Sequence, residues 1–195
     1  MSQEGKLLSG QDIESILNEI GEMLASNGEI AEFAIFGGSA ISLMFNFRDS
    51  TRDVDYMPVS GNMSALIEAS KKIGEKHELA EGWLNDAIEI FKSDNPDLNF
   101  HGEYPVGKPG IRVFTCSPEY LFAMKALSMR SSLSSNDVFD AWNLIDQLGL
   151  DSSDKAFEIV EKFYPGGLPE RNRLILMDVF ESKFAGEAYS PMLGW

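Results

Sequence analysis

The sequence predicts an α/β protein of the α+β kind, in which a small mixed β-sheet precedes a helical C-terminal half. The apolar run over 32–36 is broken by two glycines, as at the end of a strand. Residues 52–57 alternate between polar and apolar side chains, which is typical of a second strand. Beyond residue 116 the apolar spacing is helical only. We therefore expect a sheet core with an N-terminal helix over residues 1–116, and a helical region over 117–195 that packs on it.

Apolar spacing and helix-end signals predict the elements of the first half in order. Ser9 followed by Asp12 resembles a helix start, and Asn27-Gly28 is a typical helix end. The strand at 52–57 should end at Pro58, which cannot donate a ladder hydrogen bond. The remaining predicted elements are a strand at 32–36, helices at 39–47 and 65–73, strands at 87–91 and 111–115, and a loop over 92–110 that is rich in Asp, Asn, Pro and Gly.

The second half begins with a strong helix-start signal. Ser117 can cap the first turn, and Pro118 is favourable at the first helical position. Gly149 ends a later helix, and a Tyr-Pro-Gly-Gly sequence separates the last two. The predicted helices run from 117 to about 130, over 138–148, over 154–163 and over 169–184.

The composition restricts the class of partner. The chain has 195 residues, 44% of them hydrophobic, and 31 acidic against 16 basic residues give a formal charge of −15. A protein that wraps duplex DNA needs a basic face, so we expect no duplex DNA partner. A single RNA end or a basic protein surface remains compatible with this charge. One cysteine, no signal-like start and no apolar run near the roughly 18 residues of a membrane span predict a soluble, cytoplasmic protein without a membrane partner.

The cysteine and the two histidines offer little chemistry. Cys116 could be a nucleophile activated by His77 or His101, but both histidines lie in polar stretches. The favoured interpretation of Cys116 is a small buried thiol. One cysteine and two histidines are also too few for a typical structural zinc site.

Gly37, Gly38 and Ser39 join a predicted strand to a predicted helix. Glycine allows positive φ and lets a ligand approach the backbone closely. Free amides at the start of a helix favour an anion such as phosphate. The alternative is an ordinary strand-to-helix turn without a ligand.

Asp53 and Asp55 stand two residues apart on a predicted strand, so their side chains should face the same side. Two adjacent carboxylates repel each other unless a cation neutralises them. A few carboxylates completed by phosphate oxygens suit Mg²⁺. The alternative is an exposed polar strand face, although Val54 and Tyr56 indicate a strand that is packed on its other side.

A strand, Gly-Gly-Ser, a helix and Asp-x-Asp on a strand together resemble the nucleotidyltransferase superfamily, with its polymerase-beta-like fold. The sequence is most similar to a bacterial branch that includes abortive-infection and toxin–antitoxin nucleotidyltransferases together with uncharacterised nucleotidyltransferase domains. The segments that carry this resemblance are Arg48 with Thr51-Arg52-Asp53-Val54-Asp55, Gly82-Trp83-Leu84-Asn85-Asp86, Ser117 to Lys125, Asp137 to Asp140, and Tyr164-Pro165 with Leu168-Pro169. The resemblance covers about residues 33–180. The link over 130–136 departs from that branch because it is nearly uncharged, which leaves open whether Asp137 or Asp140 is the matching carboxylate.

The resemblance implies an enzyme that moves a nucleoside monophosphate from an NTP to a hydroxyl. Asp53 and Asp55 would hold Mg²⁺, and the turn of Gly37, Gly38 and Ser39 would bind phosphate oxygens. Lys125 and Asp137 are expected to join the catalytic set, although an isolated Lys125 could equally be a surface lysine. The nucleotide-binding set is completed by Arg48, Thr51 and Arg52, of which the two arginines could instead pair with nearby acids.

The sequence leaves alternatives for the third carboxylate, for an aromatic residue that stacks on the base, and for the acceptor. A third carboxylate could activate the hydroxyl, and the candidates are Asp86, Glu89, Asp137 and Asp140. Trp83 and Tyr104 could stack on a base, but large aromatic residues are more often core. The acceptor is expected to be an RNA end or a protein hydroxyl, with an antitoxin protein as a partner in the toxin case. The competing functions are a non-catalytic nucleotide-binding or antitoxin-like module of this fold, and a small-molecule nucleotidyltransferase.

Overall fold

The computed structural model describes residues 6–87, 91–129 and 136–186. The chain forms two compact units. The first contains the described residues up to Ala87 together with Leu98–Cys116, and the second contains Phe91–Asp97 and the described residues from Ser117 onward. No described helix has both the length and the apolar character needed to cross a membrane.

The first unit is a five-stranded mixed sheet with three helices among its described residues. Its elements are α1 (Gly10–Ser26), β1 (Ala31–Phe36), α2 (Gly37–Met44), β2 (Val54–Gly61), α3 (Met63–Lys76), β3 (Leu84–Asn85), β4 (Leu98–Tyr104) and β5 (Ile111–Cys116). The strand order is β3-β2-β1-β5-β4. The central strand β1 runs antiparallel to β2 and parallel to β5, β2 pairs in parallel with β3, and β4 pairs antiparallel with β5. The predicted small mixed sheet is confirmed.

Helix α1 begins at a capping box that local sequence encodes. The Ser9 hydroxyl oxygen accepts a hydrogen bond from the Asp12 amide at 3.1 Å, and an Asp12 carboxylate oxygen accepts one from the Ser9 amide at 3.0 Å. Hydrogen bonds from the Ser9 hydroxyl and amide lower the pKa of Asp12 to about 2. The buried face of the helix packs on α2, α3, β4 and β5, and its members are Ile13, Ile16, Leu17, Ile20 and Leu24.

The second unit is helical in its described part. Its elements are α4 (Pro118–Ser128), α5 (Asn136–Gln147), α6 (Ser153–Phe163) and α7 (Glu170–Phe184). Helix α4 is central, since it packs on α5, α6 and α7, and Ser117 caps it as predicted. The segment 91–97 is fastened to this unit through Ser93, whose amide donates to the Tyr120 hydroxyl at 2.9 Å and whose hydroxyl donates to the Phe163 carbonyl at 2.6 Å.

The predicted loop over 92–110 is wrong because it contains β4. This strand has only one neighbour, β5, and lies at the edge of the sheet. Its side chains are half-buried or exposed, so the alternation of apolar and polar residues that reveals a strand is missing. His101 is an extra residue in the register, because Phe100 pairs with Phe114 and Gly102 with Val113.

The strand predicted at 87–91 and the predicted end of β2 both differ from the structure. The strand predicted at 87–91 is wrong at both of its described ends, because Ala87 and Phe91 lie in 3₁₀-type turns, and residues 88–90 are outside the described part. The strand of this region is the shorter β3. Pro58 does not end β2, which continues to Gly61. Val59 is an extra residue between the paired positions of Pro58 and Ser60, and such a bulge accommodates a proline inside a sheet.

Candidate active site

The glycine turn joins the end of β1 to the start of α2. Gly37 has a φ of +61°, a conformation that costs little only for glycine. Phe36 is the N-cap residue and offers no side-chain acceptor to the first amides of the helix. Both glycines are half-buried. The backbone at Gly37 and Gly38 can therefore be reached by an anionic group that accepts from these amides.

Asp55 lies directly against this turn. It is the second residue of β2 and pairs with Phe36, the residue before the glycines. A Cβ at Gly37 would lie only 2.5 Å from Asp55 Oδ2. The carboxylate therefore occupies the space that any side chain at Gly37 would need.

Arg48 approaches the same turn from the segment that follows α2. A Cβ at Gly38 would lie 2.6 Å from Cζ and from one terminal nitrogen of the Arg48 guanidinium. Arg48 Nε donates to the Ser50 carbonyl at 3.3 Å. Gly37 and Gly38 thus have a carboxylate and a guanidinium as their respective neighbours. Arg48 also borders a cavity of about 500 Å³ between the start of α1 and the end of α2.

Asp53 precedes β2 and is exposed. Its carbonyl accepts a hydrogen bond from the Thr51 hydroxyl at 3.2 Å, and its carboxylate lies 3.4 Å from that hydroxyl. Thr51 is only 3% exposed and exchanges two backbone hydrogen bonds with Leu8. Thr51 therefore helps to orient Asp53 from inside the fold, and its assignment to the nucleotide by the resemblance stays a prediction. Arg52 is exposed.

The Ser39 hydroxyl faces the protein interior. Ser39 is fully buried, and its Oγ donates to the Phe36 carbonyl at 2.8 Å. A phosphate contact through this hydroxyl, as the resemblance implied, would require breaking that bond. The backbone amides of the turn are therefore the better phosphate donors.

The carboxylates of Asp53 and Asp55 suit Mg²⁺ better than they suit a structural metal ion. Across residues 6–87, 91–129 and 136–186 no group of three or more His, Cys, Asp or Glu side chains could hold a metal ion. Mg²⁺ is usually held by one or two carboxylates and by substrate phosphates, whereas structural metals need a full protein cage. Asp53 and Asp55, with Asp55 in the cradle at Gly37, are a donor set of the first kind.

The second unit contains a buried cluster of one lysine and two aspartates. Lys125 Nζ lies 2.8 Å from Asp137 Oδ1 and 2.9 Å from Asp140 Oδ2. Lys125 is 8% exposed and Asp140 is fully buried. Burial lowers the pKa of the Lys125 amine, but the charges of Asp140 and Asp137 outweigh burial, so that pKa lies above its usual value. Both aspartates that the sequence left as alternatives therefore bind the same lysine.

The remaining candidates are the carboxylates Asp86 and Glu89 and the aromatic residues Trp83 and Tyr104. Tyr56 has its pKa raised by burial and by the negative charge of Asp86, which associates Asp86 with Tyr56. Glu89 lies outside the described residues. Trp83 is only 5% exposed and belongs to the packed interior. Tyr104 is half-buried on β4 and donates to Glu14 at 2.5 Å.

The Cys–His alternative receives no support from the geometry. His77 and His101 form pairs with Glu19 and Glu14 of α1, at 3.0 and 2.7 Å. Cys116 is fully buried. The interpretation of Cys116 as a small buried thiol therefore agrees with the structure.

Sequence reasoning missed how the Trp-Leu-Asn segment takes part in the site. Leu84 and Asn85 form β3, which pairs with β2 at Val54 and Asp55. The Trp83-Leu84-Asn85-Asp86 element carries part of the family resemblance, but the sequence predicts the strand of this region at 87–91.

Comparison with known proteins gives one match. No curated protein and no solved structure matches the chain. A family model does match residues 11–175, a range that begins in α1 and ends in α7, and the family is described as "Nucleotidyltransferase of unknown function (DUF6036)". Since this match covers most of both units, the chain belongs to that family of nucleotidyltransferases.

Proposed function

We propose that the chain is a Mg²⁺-dependent enzyme that transfers a nucleoside monophosphate from an NTP to a hydroxyl on an RNA end or a protein. The observation that carries this proposal is the pair of neighbours at the glycine turn. The Asp55 carboxylate lies against Gly37, and the Arg48 guanidinium lies against Gly38. A carboxylate of the kind that binds Mg²⁺ and a guanidinium of the kind that binds phosphate thus lie beside backbone amides that suit phosphate oxygens, which supports the proposal.

Each group has a role that its position supports. Asp53 and Asp55 hold the cation, which would neutralise triphosphate charge and stabilise the leaving pyrophosphate. The amides of Gly37 and Gly38 donate to the β- and γ-phosphate oxygens, and Arg48 adds a positive charge beside them. Thr51 keeps Asp53 in place through the bond to its carbonyl.

The reaction balances without a further reactant. The acceptor hydroxyl oxygen forms a bond to the α-phosphorus of the NTP, and the bond from that phosphorus to the α–β bridging oxygen breaks. Pyrophosphate leaves with the electron pair of the broken bond. The hydroxyl proton passes to a carboxylate or to water. The product is a phosphodiester between the acceptor and the nucleoside.

The net negative charge of the chain favours some classes of acceptor over others. With a formal charge of −15, the chain repels long polyanions, which favours a protein hydroxyl or a single RNA end over an extended nucleic acid. A toxin or phage-defence role with an antitoxin partner is part of the proposal and rests on the sequence resemblance. The small-molecule transferase and the non-catalytic module are the competing outcomes of the test below.

The test is incubation of the protein with each α-labelled NTP, Mg²⁺, total tRNA and cell lysate. We expect label in macromolecules with one preferred NTP, and none with Asp55→Asn. Asp178→Asn is the matched control because Asp178 is an exposed carboxylate on α7. Label only in small molecules would identify a small-molecule transferase. No transfer with any NTP and acceptor, together with intact nucleotide binding, would identify a non-catalytic module.

A further inference from the structure

The short strand β3 holds β2 at the Asp-x-Asp segment. The described pairing between them consists of Val54 with Leu84 and Asp55 with Asn85. The amide of Val54, the residue between the two aspartates, donates to the Trp83 carbonyl at 2.6 Å. The main chain that carries both carboxylates therefore depends on where Trp83 lies.

The side chain of Trp83 is in turn held by α3. The indole Nε1 donates to the Ser70 carbonyl at 3.1 Å. The ring lies on the surface of Gly74, where a Cβ would come within 2.7 Å of Nε1. The Trp83 amide also donates to the Ala80 carbonyl at 3.1 Å. A continuous chain of hydrogen bonds thus runs from α3 through Trp83 to Val54.

We propose that Trp83 is a positioning residue for the metal site, in which the bond from its indole to Ser70 sets the position of Asp53 and Asp55. This proposal rests on the proposed function, because it concerns the cation that Asp53 and Asp55 hold there. A tryptophan that merely filled the core would stabilise the unit without any specific effect on Val54. A positioning tryptophan links the orientation of one indole to the affinity of the site for a divalent cation.

Two substitutions disturb the contact between the Trp83 indole and helix α3 in different ways. Trp83→Phe keeps an aromatic ring but removes the indole donor. Gly74→Ala keeps Trp83 but places a methyl group where the indole lies. Alanine is also the better helix former, so Gly74→Ala offsets part of its cost in stability. Ile73→Val is the control, because Ile73 is a buried residue of the same helix at 4% exposure, and this change alters neither the indole donor nor Gly74.

The experiment measures Mn²⁺ binding by calorimetry and Val54 amide exchange by NMR in the full chain. Both Trp83→Phe and Gly74→Ala should weaken Mn²⁺ binding about fivefold, the effect of losing one hydrogen bond, and should speed exchange at Val54. Ile73→Val should change neither the Mn²⁺ affinity nor the exchange at Val54, even when its melting temperature falls as far as those of the other two variants. Wild-type exchange at Val54 in Trp83→Phe would overturn the positioning role, whatever the metal does. Wild-type Mn²⁺ affinity in both variants would overturn the link to the cation. A wild-type protein that binds no Mn²⁺, either alone or with NTP present, would overturn the proposed function and, with it, that link.

Discussion

The Asp55 carboxylate and the Gly37 backbone are packed so closely that a Cβ on Gly37 would lie 2.5 Å from Asp55 Oδ2. Gly37 also has a φ of +61°. Two features therefore require glycine at position 37. One is the left-handed backbone conformation, and the other is the Asp55 carboxylate, which fills the space of a Cβ. This contact connects the proposed phosphate-binding turn to the proposed metal ligand. It also allows the effect of backbone strain to be separated from damage to the proposed site.

Gly37→Ala should lower the free energy of unfolding by about 1–2 kcal/mol, the cost of a non-glycine residue in the left-handed region. It should also displace Asp55 and so weaken Mn²⁺ and NTP binding. Gly28→Ala is the matched control, because Gly28 has a φ of +73° and no neighbour within 4 Å of its Cβ position. Calorimetry and urea unfolding of both variants test this. Equal ligand affinities in Gly37→Ala and Gly28→Ala would contradict the predicted role of the contact.

Gly38→Leu should abolish nucleotide binding while the fold stays largely intact. The obstacle at Gly38 is the guanidinium of Arg48, which is the flexible end of a side chain and can move away. A leucine would then cover the amides and displace the cation that we assign to the phosphates. Gly166→Leu is the control, since no neighbour lies within 4 Å of its Cβ position. Unchanged NTP affinity in Gly38→Leu, measured by calorimetry, would count against a phosphate site at this turn.

Asp55→Ala should reduce transfer by at least about a hundredfold, because bound Mg²⁺ contributes several kcal/mol to stabilising the transition state. The melting temperature should hold or rise, because the i, i+2 spacing predicts adjacent carboxylates at Asp53 and Asp55, and adjacent carboxylates repel each other when no cation is bound. Activity and melting temperature are to be measured on the same preparations, with Asp178→Ala as control. Equal and readily measured activity in wild type and Asp55→Ala would end the two-carboxylate mechanism. A variant that unfolds would assign Asp55 a structural role.

Lys125→Met should destabilise the protein by about 3–5 kcal/mol, because it leaves the fully buried Asp140 without its cation. The double variant Lys125→Met with Asp140→Asn should recover part of this loss, since the second change removes the uncompensated charge. Urea unfolding of the two variants measures the difference. A double variant no more stable than Lys125→Met would contradict a dominant charge interaction.

The raised pKa of Lys125 predicts how the free energy of unfolding depends on pH. The pKa of Lys125 is raised in the folded protein above its ordinary value of 10.5. Its contribution to stability is therefore complete below pH 10.5 and is lost as the pH rises through the folded pKa. The gap in unfolding free energy between wild type and Lys125→Met should be constant from pH 7 to 9 and should narrow above pH 10.5. Lys72→Met is the control at an exposed lysine, and a gap that stays constant to high pH would contradict the predicted titration.

Local signals in the sequence were sufficient for most of the helices and for the central strands. The Ser9–Asp12 capping box, the Ser117 cap and the Gly37-Gly38 break act within a few residues, so their outcome does not depend on distant parts of the chain. The i, i+2 spacing of the aspartates predicts that Asp53 and Asp55 face one cleft, and this remains a prediction for the metal site.

Tertiary structure alone decided which partners the side chains of the candidate site contact. The sequence predicts Ser39 and Thr51 as nucleotide contacts and Lys125 as catalytic. In the fold the Ser39 hydroxyl bonds the Phe36 carbonyl, Thr51 bonds Asp53, and two aspartates bind Lys125. The Ser39 and Thr51 hydroxyls bond residues two or three positions away, but it is the fold that buries them. The sequence missed the edge strands β3 and β4 because pairing with distant residues decides whether a half-polar segment becomes a strand. Pairing with Asp55 made Leu84–Asn85 a strand, and no pattern confined to those residues encodes that neighbour.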